Sequence, residues 1–208
     1  MAQMLGAKET EIIQTSGASE SNNTAIKGIL RASRHVGRHV ITTPLEHASV
    51  SGCLTAMREQ GAQIDVVSID RQGRVNLDEL AELLRRDTVL VTISAVDSEL
   101  GVVQPVREIA RMLEAYPHCR LHVDATQAVG KIPISFQYAD TMSLAAHKFY
   151  GLNGVGLLLR RRSVPLRPLI HGGASTTDVR SGTPAVALAQ SLAYALELAD
   201  GERDARNA

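Results

Sequence analysis

The sequence predicts an α/β fold: a mostly parallel, mixed sheet of seven strands flanked by helices. Three observations carry this prediction. Short apolar, β-branched runs alternate along the chain with longer segments whose apolar residues recur near the helical period. Most of the short runs are apolar on both faces, as strands covered by helices on two sides must be. Polar clusters stand just after several strand ends, where ligands sit in open α/β sheets.

The elements follow in order. A strand from Glu11 to Gln14 runs through Thr15-Ser-Gly-Ala-Ser19 into a helix from Ala18 to Ser33. A strand from His39 to Thr42 leads through Glu46-His47 to a helix from Ala48 to Gln60, and a third strand spans Gln63 to Ile69. Asn76 can cap a helix from Leu77 to Arg86, whose positive end suits Asp78 and Glu79. The strand from Val89 to Val96 ends at Asp97-Ser98-Glu99 and is followed by a helix from Val106 to Ala115. Strands from Leu121 to Val123 and Thr141 to Leu144 end at Asp124-Ala-Thr-Gln127 and Ala146-His147-Lys148. A strand from Val155 to Arg160 and a helix from Pro184 to Ala199 complete the pattern. One site can gather the five polar clusters.

The bulk numbers narrow the function. At 208 residues, 44% hydrophobic and 21% charged, the chain is long enough for one large core, so a single domain over 1–208 is expected. With 22 basic and 22 acidic residues, no net positive field draws it to nucleic acid or an anionic membrane. No apolar stretch reaches the roughly 20 residues that span a bilayer, and Met1 to Thr10 lacks the order of a signal peptide. A cytoplasmic protein acting on a small molecule is the expectation. Cys53 and Cys119 are too few and too isolated for a disulfide framework or a Cys-x-x-Cys metal site, and read as buried small side chains. His35, His39 and His118 read as solvated or locally hydrogen-bonded, Arg160-Arg-Arg162 as an exposed strand end, and His171-Gly-Gly173 as a tight loop without metal.

The clusters suggest a chemistry. Free N–H groups, a glycine and hydroxyls at Thr15 to Ser19 suit a phosphate, although Ser or Thr before a helix is more often only an N-cap. The mononucleotide and dinucleotide glycine motifs are missing from any strand-to-helix setting, which disfavours nucleoside triphosphate and NAD. Asp124 ends an apolar strand, where a buried carboxylate needs a cationic partner. A cofactor pyridinium would supply one, and a helix cap or surface position is the plainer reading. Lys148 follows an apolar strand, where partial desolvation can leave a nucleophilic amine able to carry pyridoxal phosphate as a Schiff base.

Taken in order, Thr15-Ser-Gly-Ala-Ser-Glu-Ser-Asn-Asn23, Glu46-His47, His122-Val-Asp-Ala-Thr-Gln-Ala-Val-Gly-Lys131, His147-Lys148-Phe-Tyr-Gly151 and Arg180-Ser-Gly-Thr183 resemble the cysteine desulfurase family. The match is to the NifS/IscS-like branch of the class V aminotransferase-fold enzymes. The resemblance implies the large domain of a pyridoxal-phosphate-dependent transferase of the aspartate aminotransferase type. It implies that Lys148 binds the cofactor, Asp124 pairs with the pyridine nitrogen, and His47 stacks on the ring and assists proton transfer. It further implies that Gln127 bonds the phenolic oxygen and that Ala18, Ser19 and His147 hold the phosphate. Thr183 would reach the phosphate of a partner subunit, making a homodimer. The implied reaction takes sulfur from L-cysteine, leaving alanine and a persulfide. The sulfur would pass to iron-sulfur scaffold proteins or to tRNA thiolation.

The chain departs from the family pattern in places. It reads as a middle portion, without the segment before Thr15 and the C-terminal small domain that would hold the persulfide cysteine and the substrate-binding arginine. Neither Cys53 nor Cys119 matches that cysteine. Ser98 stands where the family has a substrate-contacting asparagine, Ala145 where it has a phosphate-contacting serine, and Ser19 where it has threonine. Leu152 and Asn153 replace a Pro-Lys pair. A related aminotransferase or β-lyase, and a catalytically silent fragment pairing with a complete subunit, are the alternatives.

Overall fold

The computed structural model describes residues 1–173 and 177–208. A short helix α1 (Ala2–Leu5) and a 3-10 turn (Glu9–Glu11) precede strand β1 (Ile12–Thr15). Helix α2 (Ala18–Ala32), β2 (His39–Thr42), α3 (Ala48–Glu59) and β3 (Gln63–Val66) follow. Next come α4 (Leu77–Leu83), β4 (Thr88–Ser94), α5 (Val106–Leu113), β5 (Arg120–Asp124), β6 (Thr141–Ala145), β7 (Gly156–Arg160) and α6 (Val186–Arg206). All seven strands form one sheet, in the order β1-β7-β6-β5-β4-β2-β3. Strand β7 runs antiparallel to both its neighbours, and every other pairing is parallel.

Each central strand is covered on two faces, so β2, β4 and β6 are buried along their whole length. Of the two edge strands, β1 alternates half-buried and buried residues, whereas those of β3 are exposed or half-buried throughout. Strand β3 also stops at Val66, short of Ile69. There the chain turns so that Ile69 bridges Val75 and Glu79 accepts the Ser68 N–H at 3.0 Å. Asn76 caps α4 as expected, accepting from the Asp78 and Glu79 N–H groups, but the helix ends at Leu83. At the other end of the chain, α6 continues to Arg206, well past Ala199. The Arg203–Asp200 and Arg206–Glu202 pairs lie three and four residues apart and keep this polar stretch helical. Leu5 of α1, an element the sequence does not announce, is 1% exposed and joins the main core.

The two sheet faces differ. One carries Ile41, Val91, Ile93, Leu121, Val123, Met142 and Leu144, and belongs to that core. The parallel register of β4, β5 and β6 sets two polar rows on the alternate positions: Thr92–His122–Thr141 and Ser94–Asp124–Ser143. All six residues are buried. Helix α2 lies against β4, β5 and β6. A buried polar strip needs partners, and α2 brings the fully buried Asn22 to it.

Candidate active site

The carboxyl ends of β1, β4, β5 and β6 border a cavity of 590 Å³. Its lining includes Ala18, Ser19, His47, Ser98, Asp124, Gln127, His147 and Lys148. Every residue singled out from the sequence as contacting cofactor or substrate therefore faces one space, except Thr183. That residue is exposed and lies outside the cavity lining.

Local structure positions each group. Gly17, at φ 155°, is the N-cap of α2 in a positive-φ conformation that favours glycine, and with no side-chain cap it leaves the first N–H groups of a 15-residue helix open to an anion. Gly156, opening β7, has no room for a side chain: a Cβ there would stand 2.5 Å from the Leu144 carbonyl oxygen and 2.7 Å from Gly17 Cα. That contact packs the turn before α2 against the strand leading to Lys148. His147 and Lys148 sit on a 3-10 turn (Ala146–Phe149) closed by Tyr150 at φ 67°. A left-handed tyrosine is strained, and such strain collects at functional sites.

Asp124 is 5% exposed yet has no cationic side chain paired with it among the described residues. Its partners are neutral: the Thr126 N–H at 2.9 Å on Oδ1 and Asn22 Nδ2 at 2.7 Å on Oδ2. Asn22 spends its whole amide on this site. Nδ2 also donates to Ser49 Oγ at 2.8 Å, and Oδ1 accepts from Ser143 and from His122 Nε2 at 3.0 Å. Burial pushes the His122 ring down to about 4, against the opposing pull of Asp124, so it is neutral. Its Nε2–H donates to Asn22, and Nδ1 accepts from Thr141 Oγ1 at 2.9 Å.

Glu20 lines the cavity, and Glu46 lies behind the lining residue Ser94. Burial pushes Glu46 up to about 7 although Thr43 Oγ1, the Ser94 N–H and Ser94 Oγ all bond it. Burial also raises Glu20, but bonds from Arg180 at 2.9 Å and the Ser16 N–H at 2.7 Å, with the guanidinium charge, outweigh it and hold the carboxyl low. Arg180 thereby pins the Arg-Ser-Gly-Thr loop to α2. Lys131 donates to Gln127 Oε1; burial and the neighbouring Lys148 charge lower its pKa.

Asn22, Ser49, His122, Ser143 and Glu46 carry no role in the sequence reading. A signal for Asn22 existed: it falls in phase with Ile26 and Ile29 on the buried face of α2. His122 is likewise in phase with Asp124 on one face of β5. The cysteines behave as expected, since burial pushes Cys53 up to about 11 and Cys119 up to about 12, and neither lines the cavity. His35 and His118 are exposed, whereas His39 is fully buried and bonded to Thr88 Oγ1 at 2.7 Å and Asp65 Oδ2 at 2.9 Å.

Comparison with known proteins places this geometry. Residues 1–207 match the family model described as aminotransferase class V. A NifS-type protein homologue of Lactobacillus delbrueckii subsp. bulgaricus is 41% identical over 201 residues, covering 95% of this chain and 52% of the relative. The cysteine desulfurase IscS of Dictyoglomus turgidum is 40% identical over 206 residues, covering 98% and 52%. Among solved structures, a NifS-like protein superposes with a TM-score of 0.94 at 39% identity, covering 98% of this chain and 56% of that one. A structure titled SspA in complex with cysteine gives 0.88 at 36% identity, covering 94% and 57%. The chain spans about half the length of the curated relatives it matches.

Proposed function

The chain belongs to the aminotransferase class-V family, and from that premise we propose that it is the cofactor-binding large domain of a pyridoxal-phosphate-dependent cysteine desulfurase. The single observation that carries this reading is Asp124: a buried carboxylate with only neutral partners, on the same cavity as the Lys148 amine. The cavity fits the cofactor on other counts as well. Thr126 Oγ1 borders it as a buried polar atom without a partner among the described residues, and the uncapped start of α2 offers N–H groups to a phosphate.

Pyridoxal phosphate, when bound, supplies an electron sink for bond breaking at a substrate amine. Lys148 offers the amine that holds it covalently. Asp124, fixed by Asn22 and the Thr126 N–H, would pair with the ring nitrogen and favour its protonated form. Ala18 through its N–H, Ser19 through its hydroxyl and His147 hold the phosphate. Gln127, its oxygen occupied by Lys131, keeps its amide N–H groups free and would offer them to the phenolic oxygen. His47 would cover the ring face and handle a proton, and Ser98 would meet the substrate; both line the cavity. Thr183, outside its own cavity, serves the partner's site in a homodimer. We assign the substrate as L-cysteine, the products as alanine and a persulfide for an iron-sulfur scaffold or tRNA thiolation, and the location as the cytoplasm. Neither Cys53 nor Cys119 can receive the sulfur, because both thiols are buried away from the cavity.

The test is a visible absorption band formed when the protein is given the cofactor, and its loss in Lys148→Ala. A protein that never acquires the band refutes the reading. Ser98, on the cavity where the resembling family has asparagine, favours a second reading as an aminotransferase or β-lyase. Alanine and sulfide released from cysteine support the first reading, and keto-acid formation supports the second.

A further inference from the structure

We propose that Ser49 is a positioning residue that ties His47 to the Asp124–Asn22 pair and holds the ring in the tautomer with its proton on Nε2. The inference deepens the reading of the cavity as a cofactor site but rests on hydrogen bonds present in the protein alone. They have one consistent direction. Asp124 Oδ2 can only accept, so the Asn22 amide nitrogen points at it, at 2.7 Å. In that orientation Asn22 Oδ1 accepts from His122 Nε2 and Ser143 Oγ. The second hydrogen of the same Nδ2 then goes to Ser49 Oγ at 2.8 Å. Because Ser49 Oγ accepts there, its own proton is free for His47 Nδ1 at 2.9 Å. The Ser49 backbone N–H donates to the same nitrogen at 3.1 Å. A ring nitrogen that receives two donors carries no proton, so the proton of the neutral ring resides on Nε2.

The consequence is that His47, an exposed side chain at the N-cap of α3, is not free to choose its tautomer. Four residues from three elements, β5, α2 and α3, present an N–H donor to the cavity instead of a bare nitrogen. A group on the cavity that needs a donor from His47 would meet one already in place.

The experiment is nitrogen-15 NMR of histidine-labelled protein at a pH where imidazole is neutral, without added cofactor, reading the protonation of His47 Nδ1 and Nε2. The native protein is expected to show the Nε2–H form. Ser49→Ala keeps the backbone donor but loses the hydroxyl, and is expected to raise the Nδ1–H to Nε2–H ratio about fivefold, the equivalent of one neutral hydrogen bond. Ser49→Thr restores the native ratio, and Ser51→Ala, on the exposed face of α3, leaves it unchanged. An unchanged ratio in Ser49→Ala, an altered one in Ser49→Thr, or an equal change in Ser51→Ala overturns the proposal. Because no cofactor enters the measurement, failure to bind pyridoxal phosphate would sink the functional reading and leave this result standing.

Discussion

Replacing Asn22 by leucine removes the amide at which α2 meets the polar strip of the sheet. Leucine keeps the branching at Cγ but carries no polar atom, so every bond of the amide is lost, and its greater bulk in a fully buried position adds to the cost. Asn22 is fully buried and makes bonds to Asp124, Ser49, His122 and Ser143. Asp124 loses a charge-assisted bond at about 1.5–3 kcal/mol, and the buried His122 and Ser143 each lose a neutral partner at about 1 kcal/mol. The total is about 4 kcal/mol, a large share of the roughly 5–15 kcal/mol that stabilises a typical domain. Urea unfolding of the two proteins, followed by circular dichroism, reads the difference as a shift in midpoint at constant slope. A loss below about 1 kcal/mol, the scale of an ordinary surface substitution, would refute the idea that Asn22 organises the strip.

Other outcomes follow from the same geometry. Asp124→Asn is expected to weaken pyridoxal phosphate binding about ten- to hundredfold in a spectrophotometric titration; an unchanged affinity would contradict the pairing. Burial lowers His122 from 6.5 to about 4, so the unfolded state binds more protons between these values and the contribution to stability is lost as pH falls through that window. Glu46 has the opposite sign: burial raises it from 4.5 to about 7, so its contribution is present below pH 4.5 and lost as pH rises through 7. In Glu46→Gln the His122 slope stands without this opposition, and stability should fall by about 3 kcal/mol on acidification from pH 6.5 to 4; a flat profile in that variant would disprove the assignment. Cys53 and Cys119, both buried with raised pKa values, should react with iodoacetamide only after unfolding, and rapid labelling of the native protein would count against their placement.

The sequence made legible what depends on local pattern. Alternating apolar runs found all seven strands, and His39–Thr42 was bounded to the residue because charged and turn-forming neighbours flank it. The polar residues after the strands, from Ser19 to Lys148, converge because parallel strands end on one side of a sheet. What stayed hidden depends on pairing across the fold. Periodicity carries no strand direction, so the reversal of β7 is invisible in Leu157, Leu158 and Leu159. An asparagine such as Asn22 counts as polar in an amphipathic pattern, and only the register of β5 and β6 reveals the buried donors and acceptors it serves. Glu46 is a similar case: its burial arises from Ser94, 48 residues away, whose N–H and hydroxyl close over it.

Covalent attachment of the cofactor is the most direct test of the account. The protein is incubated with pyridoxal phosphate, reduced with borohydride, digested and mapped by mass spectrometry. Lys131 is the informative competitor, since its amine lies near Lys148 and has a lowered pKa of its own, yet it is committed to Gln127 and does not line the cavity. One modified peptide is expected, bearing the label on Lys148. Label on Lys131, label spread over several lysines, or none at all would contradict it.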